Sequence, residues 1–179
     1  MKGGEAAFTQ YDFNCAVNVK YENVSETRGS DGQVQVVARV HAVRVRLTLD
    51  NRIYVPDNAN VPLRSHEEGH REINEQVYNG CEPVARELAE RIMAKDWPGT
   101  GSDADVAGKR ATDAAVKELC DAYLERIAGR ATRVGEYFDQ ITMHGTRPVA
   151  ITKAIEQAFE RDLKRASPTT QPQQPVKSE

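Results

Sequence analysis

The residues best equipped for chemistry stand together at Ser65-His66-Glu67-Glu68-Gly69-His70. Histidines four apart in a helix project from one face, a turn above one another. That spacing lets two imidazole nitrogens bind one tetrahedral Zn²⁺ at about 2.0–2.1 Å each. Glu67 lies beside the first of them, where its carboxylate can reach a water activated by the ion without itself binding the ion. In this H-E-x-x-H arrangement the glutamate takes the water's proton and later returns it, which is the chemistry of metal-assisted hydrolysis. A chance match of the pattern in a chain of this length is expected on the order of once in a few hundred. His66 and His70 are therefore read as metal ligands, and Glu67 as general base and then general acid.

Such a site needs a helix to carry it and other elements to enclose it. From Phe13 the chain alternates, with Phe13, Cys15, Val17, Val19 and Tyr21 on one face and Asn14, Asn18, Lys20 and Glu22 on the other. That pattern predicts a half-buried strand with Cys15 turned inward. Asn23 to Gln33, with Ser30-Asp31-Gly32, reads as a turn. A second extended stretch runs from Val34 to Leu49. Its apolar set is first Val34, Val36, Ala38, Val40 and Ala42, then Val43, Val45, Leu47 and Leu49, and the change of phase predicts a bulge or bend. Asp50-Asn51 predicts a hairpin turn into Ile53-Tyr54-Val55, which Pro56 ends. His41 reads as a structural or solvated histidine, and Arg39, Arg44 and Arg46 as a solvated face.

The site helix follows, with Ser65 and Glu68 as a capping box. His66, His70, Ile73, Val77, Cys81, Val84, Leu88 and Ile92 keep one helical phase, so the metal face is also the core face. Gly80 and Pro83 predict a kink in it. Trp97 to Asp103 reads as a loop. A second long helix is predicted from about Val106 to Phe138, along Val116, Cys120, Tyr123, Ile127, Ala131, Val134 and Phe138. Gly145 and Pro148 break it. A shorter helix from about Val149 to Arg165 buries Ile151, Ile155 and Phe159. Residues 1–166 read as one domain, and 167–179, rich in Pro and Gln, as a disordered tail.

Two long helices joined by a short loop pack antiparallel. With the pivot near Thr100, Cys81 and Cys120 fall opposite one another on the apolar faces. A Cys81–Cys120 disulfide is therefore expected, with Cys15 left free, and a bridge argues for an oxidising compartment and so for export. The same register sets His66 and His70 beside the far end of the second helix, which carries Glu136, Tyr137, Asp139 and, just beyond, His144. The third protein ligand is expected there, from His144, with Glu136 and Asp139 as alternatives. Asp139 could instead orient a ligand histidine as a hydrogen-bond acceptor. Tyr137 could donate to the oxyanion formed during attack.

His66-Glu67-Glu68-Gly69-His70, followed far downstream by Tyr137-Phe138-Asp139-Gln140-Ile141-Thr142-Met143-His144-Gly145, resembles a bacterial family of predicted secreted zinc-dependent proteases, a domain of unknown function. That family pairs an HExxH helix with a later Tyr-Asp and Thr-x-His-Gly segment. Asp139, Thr142, His144 and Gly145 match in spacing, whereas here Phe138 separates Tyr137 from Asp139. The resemblance covers residues 13–165 loosely and these two motifs specifically. It implies export, a metallopeptidase-like fold, and His144 over its rivals as third ligand.

Composition sets the outer bounds. The chain has 179 residues, 39% hydrophobic and 28% charged, which suits one domain with a single core. A net charge of −3 gives no electrostatic footprint for nucleic acid. No apolar run approaches the ~18 residues that span a bilayer. Met1-Lys-Gly-Gly is followed by no hydrophobic signal core, so export would imply that a signal peptide has been removed. The expected architecture is α+β: a small antiparallel sheet from the N-terminal third packed on a long antiparallel helical hairpin, as a zincin-like metallopeptidase. The expected activity is zinc-dependent hydrolysis of a peptide or protein substrate in a secreted or periplasmic setting. The alternative is a non-catalytic, zinc-stabilised binding module that retains the fold. A substrate held by β-addition would lie along the Val43–Val55 hairpin.

Overall fold

The computed structural model describes residues 7–166. Over this range the order is β1 (Phe8–Arg28), β2 (Val34–Tyr54), α1 (Val61–Asn79), α2 (Glu82–Met93), β3 (Asp96–Gly101), α3 (Ala104–Thr142) and α4 (Ile151–Ala166). The class is α+β, with a three-stranded antiparallel sheet in the order β1-β2-β3 and four helices. The tail expected at 167–179 lies outside the described residues.

The alternation read in the sequence places Phe13, Val34, Val36, Ala38 and Val40 in the core and leaves Asn14, Asn18, Arg44 and Arg46 exposed. The change of phase in β2 is a bulge. Lys20 pairs with Ala42 and Tyr21 with Val40, so the exposed His41 is the extra residue. Asp50-Asn51 does not turn, contrary to expectation. The chain has already reversed at Gly29–Gln33, where Gly32 takes a φ of 81°, and β1 offers partners to β2 as far as Phe8 opposite Tyr54. Asn51 stays in the strand, and its side chain accepts a hydrogen bond from Asn74 Nδ2 at 3.1 Å.

The stretch read as a loop after Trp97 is a third strand, β3, paired with Val34–Arg39. Proline and glycine argue against a strand in isolation, but Pro98 is tolerated at a sheet edge. A Cβ on Gly99 would fall 2.1 Å from the carbonyl oxygen of Ala107, so glycine is what lets the start of α3 lie on this strand. Trp97 closes the corner, its Nε1 donating to the Ile92 carbonyl at 2.9 Å.

The site helix starts a turn earlier than expected. Asn60, not Ser65, is its cap, accepting from Leu63 N at 2.9 Å, and Pro62 sits in the first turn where its missing N–H costs nothing. The kink is a full break at Gly80-Cys81 between α1 and α2. The buried phase survives it through Ile73, Val77, Cys81, Leu88 and Ile92.

α3, of 39 residues, is about 58 Å long. Its buried line runs Ala107, Ala111, Ala115, Leu119, Tyr123, Ile127, Ala131, Val134, Phe138 and Ile141. α1 and α2 run back along it, with His70 meeting Asp139, Glu87 meeting Arg126 and Lys95 meeting Glu118. These pairs are centred a few residues beyond Thr100, because β3 lengthens the connection. α4 closes the far end, where buried Asp162 accepts from Arg130 Nε at 3.0 Å and Arg133 Nε at 3.1 Å.

The expected Cys81–Cys120 bridge is absent, and all three cysteines are free thiols. In the first half of α3 the buried line passes through Leu119, so Cys120 is turned about 100° to its flank. There its Sγ donates to the carbonyl of Cys15 on β1 at 3.2 Å. Cys81 is buried instead beside Tyr123, whose hydroxyl lacks a hydrogen-bond partner. Burial first, and then the neighbouring Cys81, push the Tyr123 phenol well above its ordinary range.

Candidate metal centre

α1 supplies His66, Glu67 and His70, and the last turns of α3 supply Asp139. One carboxylate oxygen, Asp139 Oδ1, lies 3.1 Å from His66 Nε2 and 3.0 Å from His70 Nε2. The donor atoms of His66, His70 and Asp139 all fall within 4.8 Å of one another, and together these residues could hold a metal ion. Donors on a tetrahedral ion with ~2.05 Å bonds stand about 3.3 Å apart, close to this spacing.

The tautomer of His66 follows from its neighbours. Thr142 Oγ1 donates to the Phe138 carbonyl at 2.8 Å, which leaves a lone pair facing His66 Nδ1 at 3.3 Å. His66 is thus an Nδ1–H donor to Thr142, and its unprotonated Nε2 points at the Asp139 carboxylate. Two acceptors at this distance need a proton or a cation between them. Burial raises the Asp139 carboxyl, but with protons in that place the hydrogen bonds from His66 and His70 outweigh it and hold the group well below the usual carboxylate range.

Phe138 explains the residue that separates Tyr137 from Asp139. Its ring stacks on His66 at 5.0 Å between centroids and meets His70 edge-on at 5.1 Å. A Cβ on Gly69 would fall 2.5 Å from Phe138 Cζ, so the glycine inside the histidine motif makes room for this ring. Gly69→Ala should therefore cost about 1–3 kcal/mol by overpacking. A chemical denaturation curve checks this, and an unchanged midpoint would count against the packing described.

The donors open into a cleft of about 510 Å³. Ala7 with Phe8, Thr9 and Tyr11 of β1 forms one wall, and Ala131, Thr132, Gly135, Glu136 and Asp139 of α3 the other. Tyr11 Oη spans the two, 2.7 Å from Thr132 Oγ1. No residue from Val43 to Val55 lines the cleft, so the sheet edge beside the site is the start of β1 and not the stretch expected from the sequence.

Glu67 is 4% exposed and lines this cleft next to the donors. Thr9 Oγ1 lies 2.8 Å from its Oε2 and 3.0 Å from its main-chain oxygen, tying the carboxylate to β1. The sequence assigns no role to Thr9 or Thr142. Thr142 belongs to the downstream motif, whereas Thr9 carries no local signal.

His144 stands at the rim. Met143, His144 and Gly145 all take left-handed backbone, with φ of 50°, 52° and 77°, which turns the chain back over His66. His144 Nδ1 is 3.7 Å from Asp139 Oδ1, and its side chain is 81% exposed. It lines the cleft but is not one of the three converging donors, among which Asp139 takes the place expected for it. Glu136 is an exposed wall residue. Tyr137 does not reach the cleft: it faces the opposite side of α3 from Asp139 and packs against the buried cluster that contains Phe138. The oxyanion role expected for it has no support in its position.

Among the described residues no helix is long and apolar enough to cross a membrane. Compared with family models, curated proteins and solved structures, this chain gives no match.

Proposed function

We propose that this chain is a zinc-dependent peptidase of zincin-like architecture, acting on peptide or protein substrates outside the cytoplasm. The observation that carries the reading is the convergence of His66, His70 and Asp139 in a cleft that also holds the Glu67 carboxylate. Two imidazoles and one carboxylate are a donor set of catalytic zinc sites, which keep a further position open. Zinc held by these residues, with His144 at the rim, would supply Lewis-acid polarisation of a carbonyl and a water of pKa near ~7.

The remaining work falls to the chain's own groups. Glu67 receives the proton of the attacking water at its carboxylate and delivers it to the leaving amine. The Thr9 hydroxyl keeps Oε2 in one orientation, so that the carboxylate need not be ordered during each turnover. Thr142 and Phe138 hold the His66 ring in the plane and tautomer that present Nε2 to the ion. An extended substrate would lie between the β1 edge at Phe8–Tyr11 and α3. Kinship with the secreted zinc-protease family, and export itself, belong to the same proposal and rest on the motif resemblance.

Digestion of a mixed peptide library by zinc-loaded protein tests the reading. Cleavage that a chelator abolishes and added zinc restores is expected. No cleavage of any peptide by the zinc-loaded chain would overturn it in favour of a zinc-stabilised binding module.

A further inference from the structure

Cys120 lies on the flank of α3 that faces β1, and its Sγ meets the carbonyl oxygen of Cys15 at 3.2 Å. Both residues are half-buried, whereas Cys81 is fully buried beside Tyr123. From these contacts we infer that Cys15 and Cys120 are the disulfide partners of this chain when it folds in an oxidising compartment, with Cys81 left as the free thiol.

The cross-link would join residues 105 apart in sequence, and a longer closed loop restricts the unfolded chain more than a short one. It would also lie on a seam the site already uses. Cys15 shares its strand face with Thr9 and Tyr11, and Cys120 shares its helix with Thr132 and Asp139. The Tyr11–Thr132 hydrogen bond is another rung of the same β1–α3 contact. A Cys15–Cys120 bond would fasten the two walls of the cleft to each other.

The oxidant is a disulfide, either oxidised glutathione or a protein disulfide donor. A thiolate of one cysteine attacks it, forming a mixed disulfide and releasing one thiolate. The sulfur of the second cysteine then displaces the other half. Two protein thiols become one disulfide, and the oxidant leaves as two thiols. Burial, with the neighbouring Cys120 thiol, pushes Cys15 up to about 12 in the folded reduced chain. Cys15 thiolate is then scarce at neutral pH, so the bond forms during folding, before Cys15 is buried, and not afterwards.

The test is refolding of reduced, denatured full-length chain in a mixture of oxidised and reduced glutathione at pH 8. Free thiols are then alkylated in denaturant and the cross-linked peptides mapped. A Cys15–Cys120 peptide pair with alkylated Cys81 is expected, unchanged in Cys81→Ser and lost in Cys120→Ser. The oxidised wild type should melt at least about 5 °C above the reduced form, with no such gap in Cys120→Ser. A bridge to Cys81, or three alkylated thiols, would overturn the inference. Because the readout is a peptide map and a melting point, it stands whether or not the chain cleaves peptides.

Discussion

Glu67→Gln should leave fold and zinc content intact and cut peptide hydrolysis by at least about 100-fold. The carboxylate is nearly buried, and its Oε2 accepts from Thr9 at 2.8 Å. An amide of the same size can still accept that hydrogen bond through its oxygen, so the β1 contact survives. What it cannot do is take a proton from water at neutral pH. Loss of kcat with bound zinc unchanged is the expected signature. Hydrolysis that continues undiminished in Glu67→Gln would remove this residue from the chemistry, whatever the metal does.

A second large effect is expected at Asp139. Its Oδ1 lies 3.1 Å from His66 Nε2 and 3.0 Å from His70 Nε2, and those two imidazoles hold the carboxyl well below the usual carboxylate range despite its burial. Loss of a residue that merely orients a ligand weakens metal binding by about 10–100-fold, so loss of a donor should exceed that. Asp139→Ala is therefore expected to weaken zinc binding by more than about 100-fold in chelator competition. His144→Ala, which removes a mostly exposed rim side chain, should weaken it less. The reverse ranking would make His144 the third ligand, as the spacing of the downstream motif implies.

The parts of this site that were legible in the sequence are those set by helix geometry alone. Histidines four apart share a face whatever surrounds them, and the unbroken phase from His66 to Ile92 announced that this face is also the core face. The phase change after Ala42 likewise announced a bulge, because the period of a strand tolerates no extra residue without one. What escaped depends on distant partners. Gly99 reads as a loop residue until Ala107 is seen against it, and Asp50-Asn51 reads as a turn until β1 is seen alongside. The choice between Asp139 and His144 turned on the left-handed run at Met143–Gly145, which only the folded chain reveals. Cys120 missed Cys81 because a one-residue rotation of the buried line moves a side chain to another face. Thr9 gave no signal at all, since its meaning lies entirely in a carboxylate 58 positions away.

The most direct measurement is the metal content of the purified chain, determined by mass spectrometry after equilibration with zinc and removal of the excess. About one zinc per chain is expected, falling to none in His66→Ala and His70→Ala. A wild-type chain that retains no zinc, or retains it equally in both histidine variants, would contradict a metal centre at His66, His70 and Asp139.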